Sequence, residues 1–275
     1  MASFLGKALL AATQPLKPLM PRMRPALIII GAQKAGTTTL FDLLSLHPRI
    51  IPPMEKEISF FNSDQRYSEG MRRYFKRFPK KPLAPGPMIT LEASPDYFYS
   101  PVAAERIAKH LPDALCAAVL RDPVARTYSA WNMYAQFKGH HRYAHLHDPR
   151  SFQEAVEEEL DGKLDIPARR YVANSVYAPQ LARFVNHLGR DRVQVYGFKD
   201  LVRDPQTLVN DLLSRVGLSA LPSGHPAFRT WSNRRAYTTN MDPQLVRKLR
   251  TVFEPDQVAL GALLGDPPDY LDTPV

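Results

Sequence analysis

A short, unbroken apolar run, Ala26–Ile30, stands between Pro25 and Gly31, and Leu40, Phe41, Leu43 and Leu44 follow at helical spacing after a Gly- and Thr-rich segment. An Ile-rich run that does not alternate with polar residues suits a strand covered on both faces, as strands of parallel sheets are. The order is buried strand, tight loop, helix, with the helix expected over Thr38–Leu46 and stopped by His47 and Pro48. That order recurs: Met88–Leu91 precedes a helix near Pro101–His110, Ala114–Leu120 precedes one opening at Pro123, and Val193–Phe198 precedes one after Asp204 and Pro205. Pro101, Pro123 and Pro205 are expected in first helical turns, where a missing N–H costs nothing. Further helical spacing covers Ser151–Leu160, Val176–Leu188 and Pro243–Phe253. Strands alternating with helices predict an α/β fold, a single domain with a central parallel sheet flanked by helices.

The chain's 275 residues suit one large core, expected over 25–265. Residues 1–24, with Lys7, Lys17, Arg22, Arg24 and three prolines, read as a poorly ordered basic leader, and 266–275 as an irregular tail. No apolar stretch approaches the roughly 18 residues of a membrane span, since Lys7 interrupts Phe4–Ala12. The lone Cys116 excludes an internal disulfide framework. A cytoplasmic location, with peripheral membrane contact through the leader as a further option, fits both observations.

The segment from Gly31 to Thr39 joins the first strand to the first helix. Such a turn aims backbone N–H groups and the positive end of the helix dipole at one spot, which suits a phosphate or sulfate. Gly36 permits close backbone approach, while Lys34, Thr37, Thr38 and Thr39 add charge and hydroxyl donors. A nucleotide-binding loop of the form G-x-x-x-x-G-K-[ST] has the same separation of glycines, here Gly31 and Gly36. In this chain, however, Thr37 occupies the lysine position, so the loop is P-loop-like without being a triphosphate loop. Asp122 could imitate the magnesium carboxylate of a phosphotransferase, which keeps that activity as an alternative. The 36 Lys and Arg against 27 Asp and Glu, a net charge of +9, favour an anionic partner and leave a non-catalytic module binding anionic glycan or nucleic acid as a second alternative.

Gln33-Lys34-Ala35-Gly36-Thr37-Thr38 resembles the phosphosulfate loop of sulfotransferases that use 3′-phosphoadenosine 5′-phosphosulfate (PAPS). Leu120-Arg121-Asp122-Pro123 through Ser129 resembles their second signature. The likeness runs roughly from Leu27 to Gly265 and is greatest to heparan sulfate glucosaminyl sulfotransferases and their bacterial relatives. Glu57-Ile58-Ser59-Phe60-Phe61, Glu92-Ala93-Ser94-Pro95-Asp96-Tyr97-Phe98 and Asn233-Arg234-Arg235 all follow that group's order.

The resemblance implies PAPS as co-substrate and no metal. Gln33, Lys34, Ala35, Gly36, Thr37, Thr38 and Thr39 would hold its phosphosulfate, Arg121 and Ser129 its 3′-phosphate, and Asn233, Arg234 and Arg235 would close over that side. Arg121 and Ser129, eight positions apart on a helical path, can converge on one phosphate, the arginine with a planar fork of donors. Glu57 is the expected general base, since the attacking group must lose a proton and apolar Ile58, Phe60 and Phe61 would shield the carboxylate from water. Lys34 is expected to offset charge developing on the leaving group. Two positions depart from the family: Ser59 stands where many relatives have histidine, and Ala93 where heparan-specific relatives have lysine.

The expected acceptor is a hydroxyl rather than an amine, on a carbohydrate or glycolipid, and the oligomeric state is open. His140, His141, His145 and His147 lack the spacing of a metal site and read as a mobile, irregular surface loop near the acceptor cleft. Trp131 and Tyr134 read as core or cleft wall rather than as stacking platforms, so nucleic acid is not the expected partner. The basic run from Arg72 to Lys81 is either a recognition surface for an anionic acceptor or a solvated helix face.

Overall fold

The computed structural model describes residues 20–163, 169–229 and 241–265. Four strands, β1 (Pro25–Gly31), β2 (Thr90–Ala93), β3 (Leu115–Leu120) and β4 (Val193–Gly197), form one parallel sheet in the order β2-β1-β3-β4. The second strand starts two residues later than the apolar pattern suggested, because Ile89 is drawn into an isolated bridge with Ile50 before sheet pairing begins.

The helices in chain order are α1 (Thr37–Ser45), α2 (Asp64–Ser68), α3 (Met71–Phe75), α4 (Ala103–His110), α5 (Pro123–Ala135), α6 (Phe152–Leu160), α7 (Ala178–Leu188), α8 (Phe198–Arg203), α9 (Pro205–Arg215) and α10 (Pro243–Leu264). Pro123 and Pro205 open α5 and α9 as expected, each behind an aspartate cap: Asp122 accepts from Ala125 N–H and Asp204 from Thr207 N–H. Pro101 differs, lying ahead of the Val102 cap of α4. Ser151 and Glu154 form a reciprocal capping box on α6.

Helix α10 runs eleven residues past the end expected at Phe253, through Pro255. An interior proline removes one helical hydrogen bond. The following turns are held by tertiary contact: Asp256 accepts from Tyr177 N–H (2.9 Å) and Ala178 N–H (2.8 Å) at the start of α7, and Leu260 is buried. Burial raises the Asp256 carboxyl above its ordinary range against the lowering effect of these two bonds.

One apolar core surrounds the sheet, and a second gathers Val124, Tyr128, Trp131, Phe152 and Leu249 between α5, α6 and α10. The last residues of the expected leader are tied to the domain: Arg22 bridges Lys80, Met23 N–H donates to Pro79 O (2.9 Å) and Met23 is buried. The contacts of the domain therefore include residues before 25. Residues 1–19 and the tail 266–275 lie outside the described residues.

Candidate functional site

The connection after β1 leads to β2 on one side and that after β3 leads to β4 on the other, so the two diverge between β1 and β3. In open α/β sheets the crevice beyond the carboxyl ends at such a switch point is the place for a ligand. Here it is bounded by residues 32–36 after β1 and by Arg121 and Asp122 after β3.

The loop after β1 is tightly held. Ala32 N–H donates to Val119 O (2.9 Å), Ala35 N–H donates to Ala32 O (3.1 Å), and Ala35 is fully buried. Lys34 and Gly36 both have positive φ, 73° and 84°. Gly36 is the cap of α1 and has no side chain to accept from the helix, so the first turn presents its N–H groups without a side-chain cap. A Cβ at Gly36 would lie 2.8 Å from Leu201 Cδ2 and 3.2 Å from Phe198 Cε2. Glycine is thus required by backbone handedness and by α8 packing, whatever the loop binds. Gly36→Ala is expected to lower stability by about 1–3 kcal/mol and to weaken anion binding; urea denaturation and adenosine 3′,5′-bisphosphate titration measure the two effects. Of the threonines, Thr37 and Thr39 are buried, whereas Thr38 is half-exposed and accepts a hydrogen bond from Lys56 Nζ.

Arg121 reaches the same loop. Its Nη1 donates to Lys34 O (3.3 Å), and its guanidinium lies 4.8 Å from the centre of the Phe198 ring. Ser129 is nearly buried on α5. Asp122 caps α5 and pairs with Arg250, so the carboxylate that a magnesium-dependent phosphotransferase would need is already committed to structure. Arg126, which falls within the span of the second signature, is a buried strut. Its Nε donates to Gln33 O (3.0 Å), Nη2 to Gln33 Oε1 (3.3 Å), and Nη1 to Tyr171 O (3.1 Å) and Ser175 Oγ (3.3 Å).

Glu57 has φ 60° and sits at the start of a segment fastened to β2. Its N–H donates to Ala93 O (2.9 Å), and Lys56 Nζ lies 3.9 Å from its Oε1. Because that same ammonium reaches Thr38, Lys56 joins the Glu57 segment to the start of α1. Burial lowers the Lys56 pKa, opposed by the charges of Glu57 and Asp42. The expected apolar shielding of Glu57 is not found: its side chain is 59% exposed, because Ile58, Phe60 and Phe61 turn into the core instead.

The anchor of this segment is a residue that sequence reasoning gave no role. Glu92 is wholly buried and accepts from Tyr74 OH, Tyr97 OH (2.5 Å) and Ser94 Oγ (3.0 Å). Ser94 Oγ in turn accepts from Ser59 N–H (3.0 Å), and Tyr97 OH from Phe60 N–H (3.0 Å) and Phe61 N–H (3.4 Å). A carboxylate inside an otherwise apolar strand run was the signal available, since a buried charge requires partners. Asp96 was also missed. Gln33 Nε2 donates to its Oδ1 (3.4 Å), Tyr99 bonds to it, and burial raises its pKa, with the nearby Glu57 charge adding to the rise. Tyr134 and Trp131 both belong to the second core, Tyr134 bonding to Gln33 and Trp131 Nε1 donating to Arg150 O (2.9 Å).

Asn233, Arg234 and Arg235 lie outside the described residues. The histidine segment is an ordered surface turn rather than an irregular loop: His140 Nδ1 accepts from Arg142 N–H and Tyr143 N–H (both 3.2 Å), and a single helical turn spans Ala144–Leu146. Among the described residues no group of three His, Cys, Asp or Glu is placed to hold a metal ion, and no helix is long and apolar enough to cross a membrane.

Comparison with known proteins follows the same outline. The bifunctional heparan sulfate N-deacetylase/N-sulfotransferase 1 of Caenorhabditis briggsae is 27% identical over 283 residues, covering 91% of this chain and 32% of that protein. The human heparan sulfate glucosamine 3-O-sulfotransferase 5 is 28% identical over 181 residues, covering 66% of this chain and 50% of that protein. The chain thus spans between about a third and a half of the length of these two relatives. The crystal structure of a sulfotransferase from Alicyclobacillus acidocaldarius superposes with a TM-score of 0.70 at 28% identity, covering 88% of this chain and 96% of that one. A family model described as Sulfotransferase domain matches residues 24–224, a span that takes in the loop after β1, Glu57, Arg121 and Ser129, and by that match the chain belongs to the sulfotransferase family.

Proposed function

We propose that the chain transfers a sulfuryl group from PAPS to a hydroxyl of a carbohydrate or glycolipid acceptor. One observation carries the reading: Arg121 and the Gln33–Thr39 loop meet at the switch point of the sheet, beside the uncapped start of α1. Lys34, Arg121 and the first-turn N–H groups are the donor set that a nucleotide anionic at both its phosphosulfate and its 3′-phosphate requires, so the residues fit the group. Bound PAPS would supply the sulfuryl group, with adenosine 3′,5′-bisphosphate as its leaving portion.

Gln33 through Thr39 grip the phosphosulfate, while Arg121, Ser129 and Asn233–Arg235 serve the 3′-phosphate. Glu57, tied through Lys56 to Thr38, accepts the proton of the acceptor hydroxyl. Lys34 offsets negative charge at the departing oxygen, so no metal enters the proposal. The relatives named for heparan sulfate support a carbohydrate acceptor. A cytoplasm supplied with PAPS is the proposed setting, which suits a lone buried thiol, Cys116.

Isothermal titration tests the donor. Magnesium-independent binding of adenosine 3′,5′-bisphosphate without binding of ATP is expected, and the reverse would overturn the reading in favour of phosphotransfer. Radiolabelled PAPS with pools of glycans then tests transfer. Lys34→Met is expected to reduce turnover by about 10²–10³-fold with a smaller loss of nucleotide affinity; an unchanged turnover would remove Lys34 from the chemistry.

A further inference from the structure

At the other end of the sheet from this loop lies a recess of about 680 Å3, lined by Met20, Pro21, Arg22, Arg24, Arg72, Phe75, Lys76 and Lys80. Arg24 immediately precedes β1 and the loop follows it, so a seven-residue strand, roughly 23 Å at about 3.3 Å per residue, separates the two places. We propose that the recess is a second binding site, for the sulfate and carboxylate groups of an anionic glycan chain. It rests on the proposed carbohydrate acceptor and would hold a part of the chain remote from the reacting hydroxyl.

The ion pairing of the basic run divides it in two. Arg73 is tied to Glu69 (3.4 Å) and Arg77 to Glu55. Arg72, Lys76 and Lys80, spaced by four, turn instead into the recess, joined by Arg22 and Arg24 from the segment before β1. Among the described residues none of these five cations has a carboxylate within ion-pairing distance, and the recess has no acidic wall. Like charges brought together without a counter-charge repel one another, and an anion relieves the repulsion.

The arrangement is also built rather than incidental. Lys81 N–H donates to Pro21 O (2.9 Å) and Met23 N–H to Pro79 O (2.9 Å), so both walls are joined by backbone. Arg22 Nη1 donates to Phe78 O (2.7 Å), and the Arg24 guanidinium is held over the Phe75 ring at 5.0 Å. Each arginine keeps further N–H donors in a planar fork, the geometry that suits sulfate and carboxylate.

Other polyanions fit less well. None of the large exposed apolar residues Leu46, Met54, Leu83, Val202 and Val258 lines the recess, so among the described residues it presents cations rather than an exposed apolar anchor to a bilayer. Phe75, its one aromatic ring, is covered by Arg24 and offers no face for a nucleic-acid base.

The test titrates a heparin octasaccharide into the intact protein at two salt concentrations. Arg72→Ala/Lys76→Ala is expected to weaken binding at least about tenfold and to flatten its salt dependence, while Arg73→Ala, on the paired side, leaves it unchanged. Equal binding by wild type and the double variant would overturn the proposal. So would a double variant that keeps its octasaccharide affinity but loses binding to phosphatidylserine vesicles, since the recess would then be a membrane contact. Adenosine 3′,5′-bisphosphate is titrated into the same three proteins. Retained nucleotide binding shows that the variants are folded, and its absence from wild type would sink the donor reading without touching the glycan result.

Discussion

Glu57→Gln is expected to lower the rate of sulfate transfer by about 10²–10⁴-fold, the usual span for loss of a general base, and to leave adenosine 3′,5′-bisphosphate binding unchanged, if Glu57 takes the proton as proposed. The amide keeps the size and shape of the carboxylate but cannot accept a proton. Its backbone setting is held independently of the side chain, by Glu57 N–H to Ala93 O and by the bonds from Ser59, Phe60 and Phe61 to Ser94 and Tyr97. The contact with Lys56 is a long 3.9 Å ion pair on a largely exposed carboxylate, so its loss adds little to stability. Single-turnover transfer from radiolabelled PAPS measures the effect, and a variant with full rate would show that another group takes the proton. Asp96 is then the next candidate, since it lies within the electrostatic reach of Glu57 and bonds to Gln33 of the donor loop.

The second large effect is expected one layer deeper, at Glu92. Glu92→Ala leaves Tyr74, Tyr97 and Ser94 without their shared acceptor in the core, at a cost of about 3 kcal/mol or more, read from urea denaturation. It also releases the bonds that position residues 57–61, so turnover falls with stability. Glu92→Gln keeps the volume and an acceptor oxygen and separates the two roles. Burial raises the Glu92 carboxyl above its ordinary range, and the three hydroxyl bonds only partly oppose that rise. With the folded pKa above the unfolded one, the native state holds a proton that the unfolded chain has released. The stability contributed by protonation is therefore complete below about pH 4.3 and is lost as pH rises through the folded value. Since glutamine does not titrate, the stability difference between the two proteins should move against wild type as pH climbs through that window. A difference independent of pH would mean that Glu92 does not change protonation on unfolding.

These effects mark where sequence reading stops. The strand after Pro25, the helix starts at Pro123 and Pro205, and the anion-suited loop were legible because each depends on residues within a few positions: apolar continuity, proline's fixed φ, a glycine before a helix. The short motif singles out Glu57, but its exposure departs from the expectation because neighbours in sequence are not neighbours in space. Ile58, Phe60 and Phe61 face away from the carboxylate that they flank. Helix α10 was cut short for a similar reason. Pro255 is a local stop signal, and only the contact of Asp256 with the start of α7 shows why the helix continues.

By itself the sequence determined the alternating architecture and the anion-suited composition of the loop after β1, since strand burial, helix starts and glycine-bearing turns are short-range properties of the chain. Tertiary structure decided the partners. It placed Arg121 against Lys34 across the switch point, drove Arg126 under Gln33, suspended the Glu57 segment from Glu92, and sorted one basic run into a paired side and a side lining a recess. The reason is physical: a buried hydrogen bond or an unrelieved charge depends on which distant segments the strand order brings together. The spacing of the residues that make it carries no record of that order.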